Sequence, residues 1–139
     1  GLTGLVGLKT PLIREDCSHV YYVYAMQLDI EQLGVSRARI IEALEAEGLV
    51  GLAAGYTNIH LLPMYQQKQA YGSKGFPWSA SFCRRNVNYA KGICPVAETL
   101  HDSTYLGFEM CLHQLSEPEV DAIIVAFKKV WKKRAGPSC

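Results

Sequence analysis

The residues best suited to chemistry stand in one glycine-rich loop that runs from Glu47 to Tyr65. Tyr56, Asn58 and His60 fall within five positions of one another, directly after three glycines. Glycine allows positive φ angles and a close approach of the backbone to a ligand, and binding residues are common in loops. We therefore take Tyr56, Asn58 and His60 as candidate substrate-binding residues. The rings of Tyr56 and His60 could equally pack against a sheet, and the residues alone leave both roles open.

A second polar turn follows at Gly72-Ser-Lys-Gly75. Its backbone N–H groups and the Lys74 ammonium could hold a phosphate. The spacing is not that of a Walker loop, because the glycine-rich run that should precede Lys-Ser/Thr is absent. A solvent-exposed turn is the simpler interpretation, and Lys74 is retained as the fourth candidate substrate-binding residue.

Two Cys-x-His pairs carry ligand types that zinc prefers, namely Cys17 with His19 and Cys111 with His113. On a strand, a spacing of two places both side chains on the same face. Neither pair comes with the turn residues that normally hold metal ligands at a fixed separation. The pattern therefore favours structural cysteines and surface histidines, and we predict no metal site.

A cysteine nucleophile is a further alternative, with Cys83 or Cys94 activated by His60 or His101. Such partners need only meet in space, but the sequence carries no local signature of a known cysteine enzyme. We therefore predict no catalytic residue from these pairs.

Composition predicts a compact soluble protein. The chain has 139 residues, of which 49% are hydrophobic and 19% charged, and this length suits one domain over residues 1–139. A net charge of +1 gives no broad field for nucleic acid or a membrane, and no run of apolar residues is long enough to span one. Five scattered cysteines without a Cys-x-x-Cys pair favour a reducing cytoplasm.

The order of predicted elements indicates an α+β fold, a small and mainly antiparallel sheet with helices packed on it. Residues 1–18 form an extended lead-in, residues 19–134 the α+β domain, and residues 135–139 a tail. The predicted elements are a strand over His19–Asp29, a helix over Val35–Gly48, a helical turn or two in Pro63–Tyr71, a short helix over Pro95–His101, a strand in Thr104–Leu112 interrupted near Gly107, and a long helix from Ser116.

The first strand is predicted to be central and covered on both faces, because apolar or aromatic residues occupy both sets of alternating positions. One set contains Val20, Tyr22, Tyr24, Met26 and Leu28.

Helix ends are the most explicit local signals. Ser36 can cap the first helix, and Gly48 can end it in a left-handed turn, with Glu47 facing water. Ser116 and Glu119 form a capping box before the last helix. Its predicted apolar stripe comprises Val120, Ile123, Ile124, Phe127, Val130 and Trp131.

Several short segments share the order and approximate spacing of one known domain. They are His19-Val-Tyr-Tyr-Val-Tyr, Glu47-Gly-Leu, Gly55-Tyr56, Leu61-Leu-Pro-Met-Tyr-Gln66, Ala70-Tyr-Gly-Ser-Lys-Gly75, Cys94-Pro-Val-Ala-Glu98 and the closing helix. Together they resemble the C-terminal small domain of the DegT/DnrJ/StrS family, the pyridoxal phosphate-dependent sugar aminotransferases.

The resemblance implies a homodimeric enzyme that moves an amino group onto a keto group of a nucleotide-linked sugar or cyclitol. In the family, the Schiff-base lysine and the aspartate on the pyridinium nitrogen belong to a large domain that precedes this region, and nothing here matches them. We therefore expect this chain to bind no pyridoxal phosphate by itself and to catalyse no transamination alone. By resemblance, the loop with Tyr56 and His60 faces the sugar nucleotide as part of a lid.

Three functional hypotheses follow. The leading one is the small domain of a nucleotide-sugar aminotransferase, with a large-domain partner chain and homo-oligomerisation as its implied interactions. The alternative is a free-standing binding module for a nucleotide sugar or an aminotransferase subunit. A small enzyme with its own cysteine and histidine chemistry comes third.

Overall fold

The computed structural model of the protein describes residues 1–134, so the predicted tail at 135–139 lies outside the described residues. Contacts divide the chain into two compact units. We call the first the sheet unit, which contains Gly1–Gly55 and the described residues from Asp102 onward. The second, Tyr56–His101, is called the loop unit. Whether the whole chain is one domain stays a prediction.

An antiparallel sheet forms the centre of the sheet unit. Its strands are β1 (Leu8–Lys9), β2 (Tyr24–Leu28), β3 (Leu52–Ala53) and β4 (Tyr105–Phe108). They lie in the order β1-β2-β4-β3, and every neighbouring pair is antiparallel. The predicted α+β class with a small antiparallel sheet is confirmed.

The predicted first strand is correct in place but too long. Val20 and Tyr22 are 88% and 66% exposed, and the regular strand begins only at Tyr24. The Tyr22 N–H donates to the carbonyl of Val20 at 2.7 Å, a three-residue turn that breaks the extended run. The local turn therefore prevails over the strand-forming side chains at these positions.

Only one face of β2 is covered. Met26 and Leu28 are buried, whereas Ala25 and Gln27, which alternate with them on the other face, are exposed. The prediction that both faces are covered is therefore wrong. The strand is nevertheless central, because β1 pairs with one of its edges and β4 with the other. An antiparallel sheet with one packed face commonly shows this alternation.

Gly107 does not interrupt the second predicted strand. It lies within β4 and pairs with Ala25 on one side and with Ala53 on the other. A Cβ atom at this position would stand 2.5 Å from the hydroxyl oxygen of Tyr105. The glycine therefore makes room for the Tyr105 side chain, and the predicted break near Gly107 is wrong.

Helices α1 (Ile30–Leu33) and α2 (Arg37–Ala46) follow β2. The predicted cap is present, since Ser36 Oγ accepts the backbone N–H of Arg39 at 3.4 Å. Beyond α2, Gly48 takes a φ of 94°, the left-handed conformation predicted for it.

The longest helix is α5, over Glu117–Arg134. Its predicted stripe packs into the core, with Phe127, Val130 and Trp131 buried. Trp131 Nε1 also donates to the carbonyl of Val6 at 2.8 Å. Glu47 is less exposed than predicted, because the ammonium groups of Lys129 and Lys133 on α5 both bind its carboxylate.

The loop unit contains a 3₁₀ turn at Ile59–Leu61 and two short helices, α3 (Pro63–Gln66) and α4 (Pro95–Thr99). Both helices begin at proline, whose fixed φ and missing N–H suit the first helical turn. A π-helical segment over Leu100–Thr104 leads from α4 into β4. Residues 67–94 are mostly irregular.

Candidate functional site

The three candidates of the glycine-rich loop occupy different depths in the loop unit. Tyr56 is 59% exposed, whereas Asn58 is only 7% exposed. The His60 side chain is 11% exposed and contacts Glu98 on α4. The structure thus directs Asn58 and His60 inward and leaves Tyr56 as the ring that a ligand can reach.

Glu98 is the centre of a hydrogen-bond network that the sequence did not single out. His60 Nε2 lies 2.8 Å from Glu98 Oε1. The N–H of Gly92 is 2.8 Å from each carboxylate oxygen, and the N–H of Cys94 donates to Oε1 at 3.3 Å. One buried carboxylate therefore joins the 3₁₀ turn, the segment before α4 and α4 itself.

The environment of Glu98 decides its charge. Burial alone would raise the pKa of this carboxyl, but the N–H groups of Gly92 and Cys94 and the His60 ring outweigh burial and hold the pKa below its ordinary value. Glu98 is therefore ionised at neutral pH. A buried ion with several donors stabilises the arrangement of those donors and is costly to remove.

A further polar group in the loop is buried and lacks an acceptor. Within the described residues, no atom accepts a hydrogen bond from Asn58 Nδ2. Asn58 precedes the 3₁₀ turn, and its carbonyl accepts the N–H of Leu61 at 2.9 Å. Its backbone thus has a clear structural role, and its amide nitrogen is a donor that remains to be satisfied.

Lys74 lies in a tight turn on the surface of the loop unit. Gly72 and Gly75 both have positive φ angles, and an isolated bridge joins Tyr71 to Phe76 across the turn. The Lys74 side chain is exposed, while its carbonyl accepts the hydroxyl of Ser79 at 2.7 Å. A phosphate could reach this ammonium from solvent, and the structure gives it no enclosed cradle.

The residues that suggested zinc have other contacts. Cys17 accepts a hydrogen bond from Arg14, and His19 stacks on Tyr21 with ring centroids 4.2 Å apart. His113 stacks on Phe108. In residues 1–134, no group of three or more His, Cys, Asp or Glu side chains is placed to hold a metal ion.

The lysines do not fit a covalent pyridoxal phosphate site. Lys9, Lys74 and Lys91 are exposed, and only Lys68 lines a described cavity. Its Nζ donates to Asn86 Oδ1 at 2.6 Å, and none of the described residues around that cavity carries a carboxylate that could pair with a pyridinium nitrogen. We therefore derive no catalytic step from these lysines.

Comparison with known proteins identifies the family of this chain. A model of the DegT/DnrJ/EryC1/StrS aminotransferase family matches residues 1–100, which include the glycine-rich loop, Lys74 and the Glu98 network. The chain belongs to this family. The resemblance noted from the short motifs is thus confirmed.

Two relatives align with part of the chain. Spore coat polysaccharide biosynthesis protein SpsC of Bacillus subtilis is 30% identical over 82 residues, which are 59% of this chain and 21% of SpsC. Uncharacterized protein MJ1066 of Methanocaldococcus jannaschii is 30% identical over 73 residues, 52% of this chain and 19% of that protein. The aligned region spans about a fifth of each relative.

Sequence reasoning missed Glu98 as a site residue for a physical reason. The segment Cys94-Pro-Val-Ala-Glu98 was noted for its resemblance to the family, and its proline marks the start of α4. A glutamate on a short helix is normally solvated. What marks this one is its contact with His60, which lies 38 positions away and is visible only in the fold.

The network and two other carboxylates make stability dependent on pH. Hydrogen bonds from Lys129 and Lys133 lower the pKa of Glu47, and those from Ser116 lower the pKa of Glu119, in addition to the lowered pKa of Glu98. Their contribution is present above the ordinary value of 4.5 and is lost as pH falls through the lower folded values.

The free energy of unfolding in urea should therefore fall as the pH is lowered from about 6 to about 3. Glu98→Gln should show a shallower dependence over that range, because one of the three groups no longer titrates. A free energy that is flat or rises on acidification would contradict this assignment.

Proposed function

We propose that this chain acts as the C-terminal small domain of a nucleotide-sugar aminotransferase in the cytoplasm. It supplies one wall of the substrate pocket, and the cofactor lysine belongs to a large domain. The observation that carries this proposal is the family match over residues 1–100, which includes all four candidate binding residues. The name of the relative SpsC, a polysaccharide biosynthesis protein, supports sugar chemistry.

The geometry supports a division of roles within this wall. Tyr56 and Lys74 are exposed and can contact a ligand, one with an aromatic ring and the other with a cation. His60 is held by Glu98 and positions the loop. Asn58 has a buried donor that a small rearrangement of the loop would present to a substrate oxygen. None of the four is assigned a catalytic step.

The proposed partners of this chain are other protein chains. No described helix combines the length and apolar character that crossing a membrane requires. A large-domain chain is a proposed partner, because the aligned region spans only about a fifth of each relative. A homo-oligomeric assembly is also part of the proposal and rests on the family resemblance alone. Neither nucleic acid nor lipid is a proposed partner.

A free-standing binding module is the alternative. It is favoured by the loop unit, which has its own internal network around Glu98 and could keep its shape without a large domain. Such a module would bind a nucleotide sugar by itself. A lone wall of a pocket would not, because binding of a small ligand requires that most of its surface be enclosed.

Titration calorimetry of the purified chain with nucleotide sugars separates the two. A small domain should give no measurable heat of binding, whereas a module should bind in roughly the micromolar range, about −8 kcal/mol. Tyr56→Ala serves as the matched control for a positive result, since it removes the exposed ring. Tight binding that Tyr56→Ala weakens would overturn the small-domain proposal in favour of the module.

A further inference from the structure

A cavity in the loop unit has none of the four candidate residues in its lining. Its volume is about 390 Å³, which is within the range of small-ligand pockets. The lining comes from two segments of the chain, residues 65–68 and 86–90. The lining residues are Tyr65, Gln66, Lys68, Asn86, Val87, Asn88, Tyr89 and Ala90.

Internal hydrogen bonds hold the two segments together. Gln66 Nε2 donates to the carbonyl of Tyr89 at 2.6 Å, and Lys68 Nζ donates to Asn86 Oδ1 at 2.6 Å. The rings of Tyr65 and Tyr89 lie 5.1 Å apart, and the Tyr89 hydroxyl accepts the indole N–H of Trp78 at 3.1 Å. The cavity walls are therefore fixed before any ligand arrives.

The polar side chains of the cavity offer a ligand mainly hydrogen-bond donors. Asn86 and Asn88 already use their side-chain oxygens to accept bonds from Lys68 Nζ and from the N–H of Ala90. Their amide NH₂ groups remain as donors, and the Lys68 ammonium has three N–H groups in all. The described lining includes no carboxylate. A donor-rich cavity without an acid suits a ligand rich in acceptors, such as a phosphate.

Lys68 occupies a backbone position that normally favours glycine. It follows α3 with a φ of 52°, and its N–H donates to the carbonyl of Tyr65 at 3.2 Å. The N–H of Gln69 donates to the carbonyl of Met64 at 3.0 Å, so the turn is a Schellman motif. Glycine would adopt this conformation without strain, and the lysine therefore contributes something other than backbone geometry.

The charge of the loop unit agrees with an anionic ligand. Residues 56–101 contain a single acid, Glu98, which the network described above buries. They also contain five cations, which give the unit a net charge of +4 in a chain whose total is +1. The cations are Lys68, Lys74, Arg84, Arg85 and Lys91. Such a concentration of positive charge attracts anions to this unit.

We propose that this cavity binds a small phosphorylated molecule that carries a ring. Lys68 and the amides of Asn86 and Asn88 bind the phosphate, and Tyr65 and Tyr89 contact the ring. The volume suits a sugar phosphate or a mononucleotide, which share this chemistry. The inference does not depend on the activity proposed above, because the cavity is complete within the loop unit.

Amide chemical-shift titrations of the isotope-labelled chain test the site with five probes: glucosyl phosphate, uridine monophosphate, glucose, uridine and inorganic phosphate. The two phosphorylated probes distinguish a sugar ring from a nucleobase as the bound ring. At least one of them should cause saturable shifts at residues 65–69 and 86–90. Its unphosphorylated counterpart should bind at least about tenfold more weakly, because it lacks the charge-assisted hydrogen bonds.

Lys68→Gly is the decisive variant, since glycine suits the left-handed turn and an unchanged amide spectrum elsewhere will verify folding. It should weaken binding by about tenfold or more, while Lys68→Arg restores most of it. Lys128→Gln, which removes an exposed cation from α5, should leave binding unchanged. The proposal is overturned if no saturable shifts appear at these residues, if Lys68→Gly binds like the wild type, or if inorganic phosphate binds as tightly as both ring-bearing probes.

Discussion

Replacing Glu98 with glutamine should loosen the loop unit while leaving the sheet unit folded. The glutamine has nearly the same shape, but it loses the negative charge that faces the N–H groups of Gly92 and Cys94 and the ring of His60. The carboxylate accepts hydrogen bonds from these groups with both oxygens. In the variant, an NH₂ group, which can only donate, replaces one of those oxygens. The result is a donor clash inside a buried site, which is costlier than a lost surface contact.

Hydrogen exchange measures this effect residue by residue. The amides of Gly92 and Cys94 should exchange at least about tenfold faster in Glu98→Gln, with little change in β2 or β4. Glu45→Gln is the matched control, because Glu45 is an exposed glutamate on α2 and its neutralisation should alter neither set of amides. Equal protection of Gly92 and Cys94 in both variants would show that the network does not hold the loop.

The largest loss of overall stability is expected from Phe127→Ala. Phe127 is 1% exposed on α5 and stacks on Trp131 with ring centroids 5.8 Å apart. It also borders a cavity of about 210 Å³ with Met26 of β2 and Phe108 of β4. Removing the buried ring takes away its packing contacts and enlarges a void, at a cost of about 3–5 kcal/mol.

Urea unfolding compares the free energies of unfolding of Phe127→Ala and Val125→Ala, two truncations on the same helix. Val125 is 61% exposed, so its truncation should change the free energy of unfolding by less than about 0.5 kcal/mol. If Phe127→Ala cost no more than Val125→Ala, the placement of α5 on the sheet would be wrong. Phe127→Leu is the milder second variant, since it should cost less free energy of unfolding. It keeps the comparison measurable if Phe127→Ala does not fold.

Local signals in the sequence predicted the parts of the fold that short-range physics determines. The Ser36 cap, the left-handed Gly48 and the apolar stripe through Phe127 depend on residues within a turn or two of one another. The same reasoning was wrong where the outcome depended on a distant partner. Val20 and Tyr22 have strand-forming side chains but lie in a turn before β2. Gly107 predicts a break only as long as its contact with Tyr105 is unknown.

The candidate site shows the same limit. Glycines and polar side chains identified the loop with Tyr56, Asn58 and His60, and family resemblance gave it an expected role. The ion that organises the loop unit, Glu98, has no sequence neighbour that distinguishes it from an ordinary helix acid. Neither the left-handed backbone of Lys68 nor its cavity is evident from sequence spacing. Both residues act through contacts that cross the loop unit.

Our central proposal is that this chain acts as the small domain of a sugar aminotransferase and contributes substrate contacts but no cofactor lysine. Its most direct test joins the chain to a family large domain that carries the lysine and follows amino transfer from glutamate to a keto nucleotide sugar. The joined polypeptide should be active, and Tyr56→Ala should raise its KM by about tenfold with a smaller effect on kcat. The chain alone, supplied with pyridoxal phosphate, should show no transfer, and transfer by the chain alone would contradict the account.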